Sequence, residues 1–276
     1  MRDAPQKLGP LAAMVLAAGR GERMRPLTDH TPKPLLEVRG KPLMQWSLEA
    51  LARGGFHQVL VNTAWLGPQI EARFGDVFAP PPAPQSGERQ AQSAPVALTY
   101  SHEGRDFGAA LETAGGIARA LPQLGERFWV LAGDVFAPDF VFSKESVERF
   151  IASGKLAHLW LVPNPAHNPH GDFGLALSPG DATGAGLALN LARDDARPRY
   201  TYSTIGLYHR DLFAPPHCDI APGNPGGIKA PLAPLLRAAM DNALVSAEIY
   251  RGAWTDVGTP ERLRWLNETP VLDLRT

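Results

Sequence analysis

The sequence predicts an α/β protein with a Rossmann-like, doubly wound and mostly parallel sheet. Short apolar runs rich in Val, Leu and Ile alternate along the 276 residues with stretches that have helical spacing. A Gly-rich turn directly follows the first apolar run. The C-terminal third has no hexapeptide period, so we expect no C-terminal β-helix. A single large domain over residues 1–276 is the expectation for this length.

The predicted strands are apolar runs of the length typical of buried strands. They cover residues 12–17, 58–62, 97–101, 128–131, 157–162, 200–209 and 245–250.

Three stretches have helical spacing and recognisable ends. Residues 42–53 stop at a Gly-Gly pair, and residues 111–121 stop before a proline. The terminal helix, 260–267, begins with Thr259 as a plausible N-cap and Pro260 at its first position.

Two segments are predicted to be insertions because their Pro, Gly, Gln and Ser content is high. They are residues 78–95 and 215–234. We expect the first to be a mobile loop, and a lid over the nucleotide is the alternative.

Composition excludes several classes of function. The 27 basic and 28 acidic residues give no global field that would attract nucleic acid or an anionic membrane. Cys218 is the only cysteine, so an intrachain disulfide is excluded. The apolar run at 11–18 is too short to span a bilayer, and we expect a cytoplasmic protein.

The turn after the first strand has the composition of a phosphate-binding loop. Small residues let the backbone approach a ligand, and consecutive amide N–H groups can bind phosphate oxygens. Arg25 adds a fixed positive charge. The loop consists of Leu16, Ala17, Ala18, Gly19, Arg20 and Gly21.

The residues of this turn exclude two better-known phosphate-binding loops. Met24 stands where the dinucleotide fingerprint needs its third glycine, and the Gly-Lys-Ser/Thr of a P-loop is absent. A tight strand-to-helix turn without a ligand remains the alternative.

Three charged residues are candidates for phosphate and metal chemistry. Lys33 lies between two prolines, which predicts an extended loop that holds its ammonium in place. Asp134 follows the strand at 128–131, where open α/β sheets bind ligands. Asp256 precedes the terminal helix, and two carboxylates with substrate phosphates suit Mg²⁺. The alternatives are a solvated lysine and aspartates that cap turns.

Four motifs, in order and in spacing, resemble the sugar-1-phosphate nucleotidyltransferase family. They are Leu-Ala-Ala-Gly-x-Gly-x-Arg-Met-Arg-Pro-Leu-Thr, Thr-Pro-Lys-Pro-Leu, Gly133-Asp134, and Trp-Thr-Asp-Val-Gly-Thr from residue 254. Within the family the chain most resembles short bacterial N-acetylmuramate-1-phosphate uridylyltransferases of cell-wall recycling. Mannose-1-phosphate guanylyltransferases are nearly as similar, and glucose-1-phosphate uridylyl- or thymidylyltransferases are further alternatives.

The resemblance implies substrates, a cofactor and roles for residues. The substrates would be a nucleoside triphosphate and a sugar 1-phosphate, with Mg²⁺ on Asp134 and Asp256 and with Lys33 and Arg25 as further catalytic residues. The nucleotide part would cover about 9–140 and the sugar part about 141–276. The nucleotide would contact the loop and Glu112, Thr113 and Gly115, and the sugar would contact Asp172, Phe173, Gly174, Ser203 and Gly206.

The sequence also departs from its relatives. Ala132 stands where the muramate enzymes carry asparagine, and Ala114 replaces one of their glycines. Larger relatives have a lysine that contacts the sugar phosphate, for which Arg193, Arg199 or Lys229 could substitute.

The rival classes are a non-catalytic regulatory subunit that binds a nucleotide sugar, a nucleotide-cofactor oxidoreductase and a polynucleotide-binding module. The partners expected are small molecules, with no nucleic acid and no membrane, and the protein should be a monomer or a small homo-oligomer.

Overall fold

The structure is a computed structural model, and it describes residues 12–81, 94–177 and 184–270. It contains fourteen strands: β1 (Ala12–Ala17), β2 (Glu37–Val38), β3 (Lys41–Pro42), β4 (Gln58–Thr63), β5 (Val77–Phe78), β6 (Val96–His102), β7 (Arg127–Ala132), β8 (Val135–Phe136), β9 (Ala157–Val162), β10 (Phe173–Leu177), β11 (Gly186–Leu189), β12 (Arg199–His209), β13 (Val245–Ile249) and β14 (Thr255–Asp256) within the described residues.

Seven α-helices lie among these strands in the described part of the chain. They are α1 (Leu43–Arg53), α2 (Gly67–Phe74), α3 (Glu103–Phe107), α4 (Glu112–Ala120), α5 (Lys144–Ser153), α6 (Leu232–Asp241) and α7 (Pro260–Glu268).

Ten strands form one twisted sheet in the order β10-β11-β13-β9-β12-β7-β1-β4-β6-β5. The segment β7-β1-β4-β6 is parallel throughout, so the carboxyl ends of these strands share one edge. Strand β12 is antiparallel to both of its neighbours, β7 and β9, and joins this parallel segment to the other half of the sheet.

Helices cover both faces of the sheet. Ala13 and Val15 of β1 pack in the same cluster as residues of α1, α2 and α5. Ala12 and Met14 pack instead with residues of α4 and α6. Because neighbouring strand residues point to opposite faces, β1 is buried on both sides, which explains its unbroken apolar sequence.

The predicted α/β class and its parallel sheet are confirmed, and the described residues contain no β-helix. All seven predicted strands and all three predicted helices form, each within one residue of its predicted ends. The N-cap at Thr259 is confirmed as well, since its hydroxyl accepts a hydrogen bond of 3.3 Å from the amide of Arg262.

The segment 215–234 differs from the predicted insertion. Asn224 is completely buried, and its side chain bonds to Gly115 O at 3.1 Å and to Ile228 N at 2.8 Å. These hydrogen bonds hold the segment in place, although it has few apolar side chains that could pack. The segment then leads into α6, whose helical spacing begins at residue 232 and was not predicted.

In the other predicted insertion, Phe78 is buried and lies in β5, which pairs with β6. Residues 82–93 lie outside the described part of the chain, and the loop and lid interpretations of this segment stay predictions.

A small two-stranded ribbon brings the two candidate metal ligands to neighbouring backbone positions. Strands β8 and β14 are antiparallel, and Asp256 lies opposite Val135, the residue after Asp134. The amide of Val257 donates to the carbonyl oxygen of Asp134 at 2.9 Å. Residues 122 positions apart in the sequence, 256 against 134, therefore share one site.

Among the described helices, none combines the length and the apolar character that a bilayer span requires.

Candidate active site

A cavity of about 690 Å³ opens at the carboxyl ends of the parallel strands. The loop after β1, the end of β4 and the end of β7 form one side of it. Residues of β10 and β12 and the first turns of α6 form the other side. This edge of a parallel sheet is where open α/β folds bind ligands.

Ten of the predicted site residues line this cavity, and eight do not. The lining residues are Leu16, Ala17, Ala18, Gly19, Lys33, Glu112, Thr113, Asp134, Asp172 and Phe173. The residues outside the lining are Arg20, Gly21, Arg25, Gly115, Gly174, Ser203, Gly206 and Asp256. The assigned roles of all eighteen residues stay predictions, because no ligand contact tests them.

A buried polar pair supports the loop from below. Asn62 Oδ1 accepts a hydrogen bond of 2.8 Å from the amide of Ala17, and Asn62 Nδ2 donates to Glu103 Oε1 at 2.7 Å. The other oxygen of Glu103 accepts from the amide of Leu111 at 2.7 Å. The pair therefore connects the loop after β1 with the turn that leads into α4.

Burial raises the pKa of the Glu103 carboxyl above its ordinary value of 4.5, although the hydrogen bonds from Leu111 and Asn62 oppose the shift. The side chain is 0% exposed. A carboxylate in such a place needs every one of its hydrogen bonds.

The second half of the loop is fixed to the protein rather than directed into the cavity. The guanidinium of Arg20 stacks on the ring of Trp65, at 3.5 Å from its centroid. The indole N–H of Trp65 donates to the carbonyl oxygen of Thr28 at 2.8 Å, and the Thr28 hydroxyl donates to Gly21 O at 2.9 Å. Gly21 has φ 70°, which explains why a glycine stands there.

Arg25 is paired with Asp29 at 2.7 Å, and its side chain is 55% exposed. Without a ligand, this arginine is therefore held at the surface beside the cavity.

Lys33 and Asp134 form an ion pair at the centre of the candidate site. The lysine side chain is 12% exposed and the aspartate side chain 31%, so the pair is partly desolvated. The predicted extended conformation of Lys33 is wrong, since Lys33–Leu35 is a 3₁₀ turn. Pro34 disfavours a helical conformation of Lys33. Hydrogen bonds from Leu35 N to Pro32 O and from Leu36 N to Lys33 O stabilise the turn and offset this cost.

The carboxylate of Asp256 has two side-chain partners, His167 and Arg262. His167 Nε2 lies 2.8 Å from its Oδ1, and Arg262 donates to the same oxygen. Lys33 and Arg262 thus place a positive charge beside each of the two aspartates. This environment suits a site that receives both a cation and several phosphate groups.

A divalent cation is compatible with these residues, because the two carboxylates are hard oxygen ligands on adjacent backbone positions. No group of three or more His, Cys, Asp or Glu side chains in the described ranges could hold a metal alone. Phosphate oxygens and water would complete the coordination, as is usual for Mg²⁺.

The turn before α4 combines a backbone outlier with a close helix contact. Glu112 lines the cavity with φ 58°, an uncommon conformation for a residue with a side chain. Gly115 instead faces the segment before α6, where its amide donates to Ala230 O at 3.1 Å. An added Cβ at Gly115 would collide with the carbonyl oxygen of Ile228. Packing therefore explains this glycine without a nucleotide contact.

Two of the predicted sugar-binding residues have structural partners instead. The hydroxyl of Ser203 donates to Trp160 O at 2.6 Å and stabilises an irregularity in β12 between Tyr202 and Gly206. A Cβ on Gly206 would approach the ring of Tyr208 to 2.9 Å. Neither residue lines the cavity.

In the same half of the cavity, Asp172 accepts a hydrogen bond of 2.9 Å from the amide of Tyr202. The carbonyl oxygen of Asp172 accepts from Arg237 at 3.3 Å, and Phe173 lies under the arginine head, 5.1 Å from ring centroid to guanidinium.

Sequence reasoning missed several polar residues of the site, and Asn62, Glu103, His167 and Arg237 are four of them. Asn62 lies near the carboxyl end of a predicted strand, so the rule that led to Asp134 could also have found it. The other three carry no local signal, because their positions depend on loop paths and on a helix that was not predicted.

The family model described as Nucleotidyl transferase matches residues 12–269 of this chain. The N-acetylmuramate alpha-1-phosphate uridylyltransferase of Neisseria meningitidis is 42% identical over 260 residues, covering 92% of this chain and 96% of that protein. The mannose-1-phosphate guanyltransferase beta-B of Xenopus laevis is 26% identical over 265 residues, covering 91% of this chain and 62% of its own length.

Among solved structures, a Bacillus anthracis protein provisionally assigned as a glucose-1-phosphate thymidylyltransferase, in complex with sucrose, superposes with a TM-score of 0.69 at 19% identity. The match covers 93% of this chain and 94% of that one. It supports the fold alone.

The family match extends over nearly all of the residues that build the sheet and the cavity, and the 42% identical relative has nearly the same length. This chain therefore belongs to the nucleotidyl transferase family.

Proposed function

We propose that this enzyme transfers the uridylyl group of UTP to N-acetylmuramate 1-phosphate and releases pyrophosphate. The observation that carries the proposal is the position of Lys33 and Asp134 in a cavity lined by the predicted nucleotide loop on one side and by Asp172 and Phe173 on the other. The choice of base and sugar rests on the 42% identity to the meningococcal uridylyltransferase.

The reaction is an in-line displacement at the α-phosphorus. An oxygen of the sugar phosphate forms the new bond to this phosphorus, while the bond to the bridging oxygen of the pyrophosphate breaks. The departing pyrophosphate carries away the electron pair. A phosphate oxygen is already a competent nucleophile, so no side chain has to take a proton from it.

The main obstacle is charge. Two unit charges at about 4 Å repel by roughly 4 kcal/mol at an effective dielectric of 20, and these reactants carry several. Lys33 offsets this repulsion when it exchanges Asp134 for a phosphate oxygen, and Arg25 adds a second cation when it leaves Asp29. The charged heads of both residues then replace the water that the phosphates lose.

Asp134 and Asp256 would hold Mg²⁺, which when bound neutralises phosphate charge and fixes the orientation of the reacting groups. The described residues contain no group of three or more such side chains that could hold the ion alone, so we expect the metal to bind together with the nucleotide.

We assign the two sides of the cavity as two substrate subsites. Residues 16–21 would contact the triphosphate, and Glu112 and Thr113 the base and ribose. Asp172 and Phe173 would contact the sugar. This follows the predicted division into a nucleotide part at about 9–140 and a sugar part at about 141–276 within one domain.

The proposal extends to the setting of the enzyme. Muramate 1-phosphate as substrate implies a role in cell-wall recycling in the cytoplasm, and we expect a monomer or a small homo-oligomer. Mannose-1-phosphate guanylyl transfer and glucose-1-phosphate uridylyl or thymidylyl transfer are the alternatives within the family. A regulatory subunit without catalysis is the alternative from another class.

Pyrophosphate release over a grid of four nucleoside triphosphates and several sugar 1-phosphates tests the proposal. We expect the highest kcat/KM for UTP with N-acetylmuramate 1-phosphate. A higher value for GTP with mannose 1-phosphate would replace this assignment. No release with any pair, while a nucleotide sugar still binds, would indicate a regulatory subunit.

A further inference from the structure

Two cations line the cavity within the described residues, and their electrostatic situations differ. Lys33 lines the cavity and is paired with Asp134. Arg237, on the first turns of α6, has no carboxylate within ion-pair distance in the described part of the chain. No carboxylate therefore neutralises this partly buried guanidinium beside the proposed sugar subsite.

Arg237 is nevertheless held firmly in position. Its Nη1 donates to Asn190 Oδ1 at 2.8 Å, and its Nη2 donates to the carbonyl oxygen of Asp172 at 3.3 Å. The amide nitrogen of Asn190 donates in turn to Asp241 Oδ1 at 3.0 Å, which fixes the orientation of the asparagine. The ring of Phe173 supports the guanidinium from one side.

All of these partners are neutral at the atoms that contact Arg237. The carboxylate of Asp172 is directed elsewhere, since Oδ2 accepts from the amide of Tyr202 and both oxygens lie 3.3 Å from Asn168 Nδ2. The two hydrogen bonds leave other N–H groups of the guanidinium available. Its planar fork matches a carboxylate in a bidentate arrangement.

We infer that Arg237 is a specificity-determining residue that binds the lactyl carboxylate of the muramate sugar. N-acetylmuramate differs from N-acetylglucosamine by a lactyl ether, whose carboxylate adds one negative charge to the sugar at neutral pH. Taking that charge into a cavity is costly unless a cation receives it. In the described lining, Arg237 is the only cation that has no carboxylate partner and lies outside the Lys33–Asp134 centre.

This inference rests on the proposed function. A different ligand group for Arg237 is the alternative. The same guanidinium could instead bind the 1-phosphate, in place of the lysine of larger relatives. The residues predicted for that replacement, Arg193, Arg199 and Lys229, do not line the cavity. The guanidinium of Arg199 is used by the carbonyl oxygens of Leu191 and Ala192.

The test compares a sugar that has the carboxylate with one that lacks it. Steady-state kinetics with UTP are measured for N-acetylmuramate 1-phosphate and N-acetylglucosamine 1-phosphate with wild type, Arg237→Met and Arg237→Lys. Calorimetry gives the Kd of both sugars, so that slow turnover does not hide an effect. Arg53→Met, at an exposed arginine of α1 outside the cavity, is the matched control.

For Arg237→Met we expect kcat/KM with the muramate sugar to fall about 30-fold or more, or about 2 kcal/mol at 1.4 kcal/mol per tenfold. The value for the glucosamine sugar should stay within about threefold, the lysine variant should recover part of the loss, and Arg53→Met should behave as wild type. Thermal midpoints are measured to compare folding of the variants.

Equal losses with both sugars would overturn the inference in favour of phosphate binding, and no change with either would overturn it outright. In both cases a wild-type preference for the muramate sugar would leave the proposed function standing. A wild type that does not prefer the muramate sugar would overturn both. If Arg237→Met does not fold, unchanged sugar preference in Arg237→Lys and in an Asn190→Ala variant would contradict the inference.

Discussion

Asn62 donates a hydrogen bond of 2.7 Å to Glu103 under the floor of the cavity, and the two side chains are 3% and 0% exposed. The rest of their hydrogen bonds hold the amide of Ala17 on one side and the amide of Leu111 on the other. The two loops that face the proposed nucleotide are therefore positioned by one buried amide–carboxylate pair.

This pair predicts a defined cost for Glu103→Gln. The new amide group must point its N–H₂ at Leu111 N or at Asn62 Nδ2, and Asn62 cannot turn over because its oxygen serves Ala17. One donor remains unpaired, so the free energy of unfolding at pH 7 should fall by about 1–3 kcal/mol. Urea denaturation measures it, and an unchanged midpoint would show that the pair is dispensable.

The same variant predicts a pH dependence. A carboxyl whose pKa is raised by folding contributes stability below its unfolded pKa of 4.5 and loses that contribution as the pH rises through the folded pKa. The difference in unfolding free energy between wild type and Glu103→Gln should therefore narrow as the pH rises above 4.5. Denaturation curves at several pH values would contradict the raised pKa if the difference widened.

Lys33→Ala should lower kcat by at least about 100-fold, which corresponds to about 2.7 kcal/mol for one preorganised electrostatic contact. The variant also leaves Asp134 without its ion-pair partner. Lys144→Ala, an exposed lysine on α5, is the control and should retain full turnover. A loss of only two- or threefold in Lys33→Ala would mean that this lysine is an ordinary partner of Asp134.

Asp134→Asn and Asp256→Asn should each abolish turnover while the thermal midpoint changes little, since both side chains are partly exposed. Calorimetric titration of Mn²⁺ in the presence of UTP provides a readout that does not depend on turnover, and both variants should bind the metal more weakly. Asp219→Asn, an exposed aspartate, is the control. Metal-dependent turnover retained in both variants would exclude these aspartates as ligands.

Gly115→Ala separates packing from nucleotide binding. The added methyl group collides with a backbone carbonyl of Ile228, which cannot rotate away, so we expect a loss of about 1–3 kcal/mol in the free energy of unfolding. At Gly226 a Cβ would meet only ordinary contacts, so Gly226→Ala is the matched control. A stable Gly115→Ala protein with a raised KM for UTP would instead support the predicted nucleotide contact.

The strands and helices predicted from sequence are those with strong local signals. Strand β1, buried between two parallel neighbours, is apolar at every position, and α7 has a cap, a proline and an acidic first turn. Helix α6 was missed because it follows a Pro-rich stretch that reads as a loop, although Leu232 and Leu236 are buried. The conformation of the segment before α6 depends on hydrogen bonds of the buried Asn224 side chain, and not on apolar packing that a sequence pattern would show.

Prediction of the site had the same limit. Residues on the edge of the parallel sheet, such as Ala17 and Asp134, follow directly from strand order. Ser203 and Gly206 are close to cavity residues in the sequence, but both have roles within the irregular strand β12. The Ser203 hydroxyl binds a backbone oxygen, and Gly206 leaves room for the ring of Tyr208. Contacts such as Asp256 with His167 join residues from distant loops, and no periodicity in the sequence encodes them.

The ribbon of β8 and β14 also determines when during synthesis the candidate site can be complete. A growing chain carries Lys33 and Asp134 early, but the partner strand of Asp134 is made only at residue 255, close to the last helix. Arg39, from the first quarter of the chain, also waits for that helix, since its amide donates to Asn267 at 2.6 Å. With the proposed roles of Asp134 and Asp256, we therefore expect unfinished chains to consume no nucleotide, whatever part of their sheet has already folded.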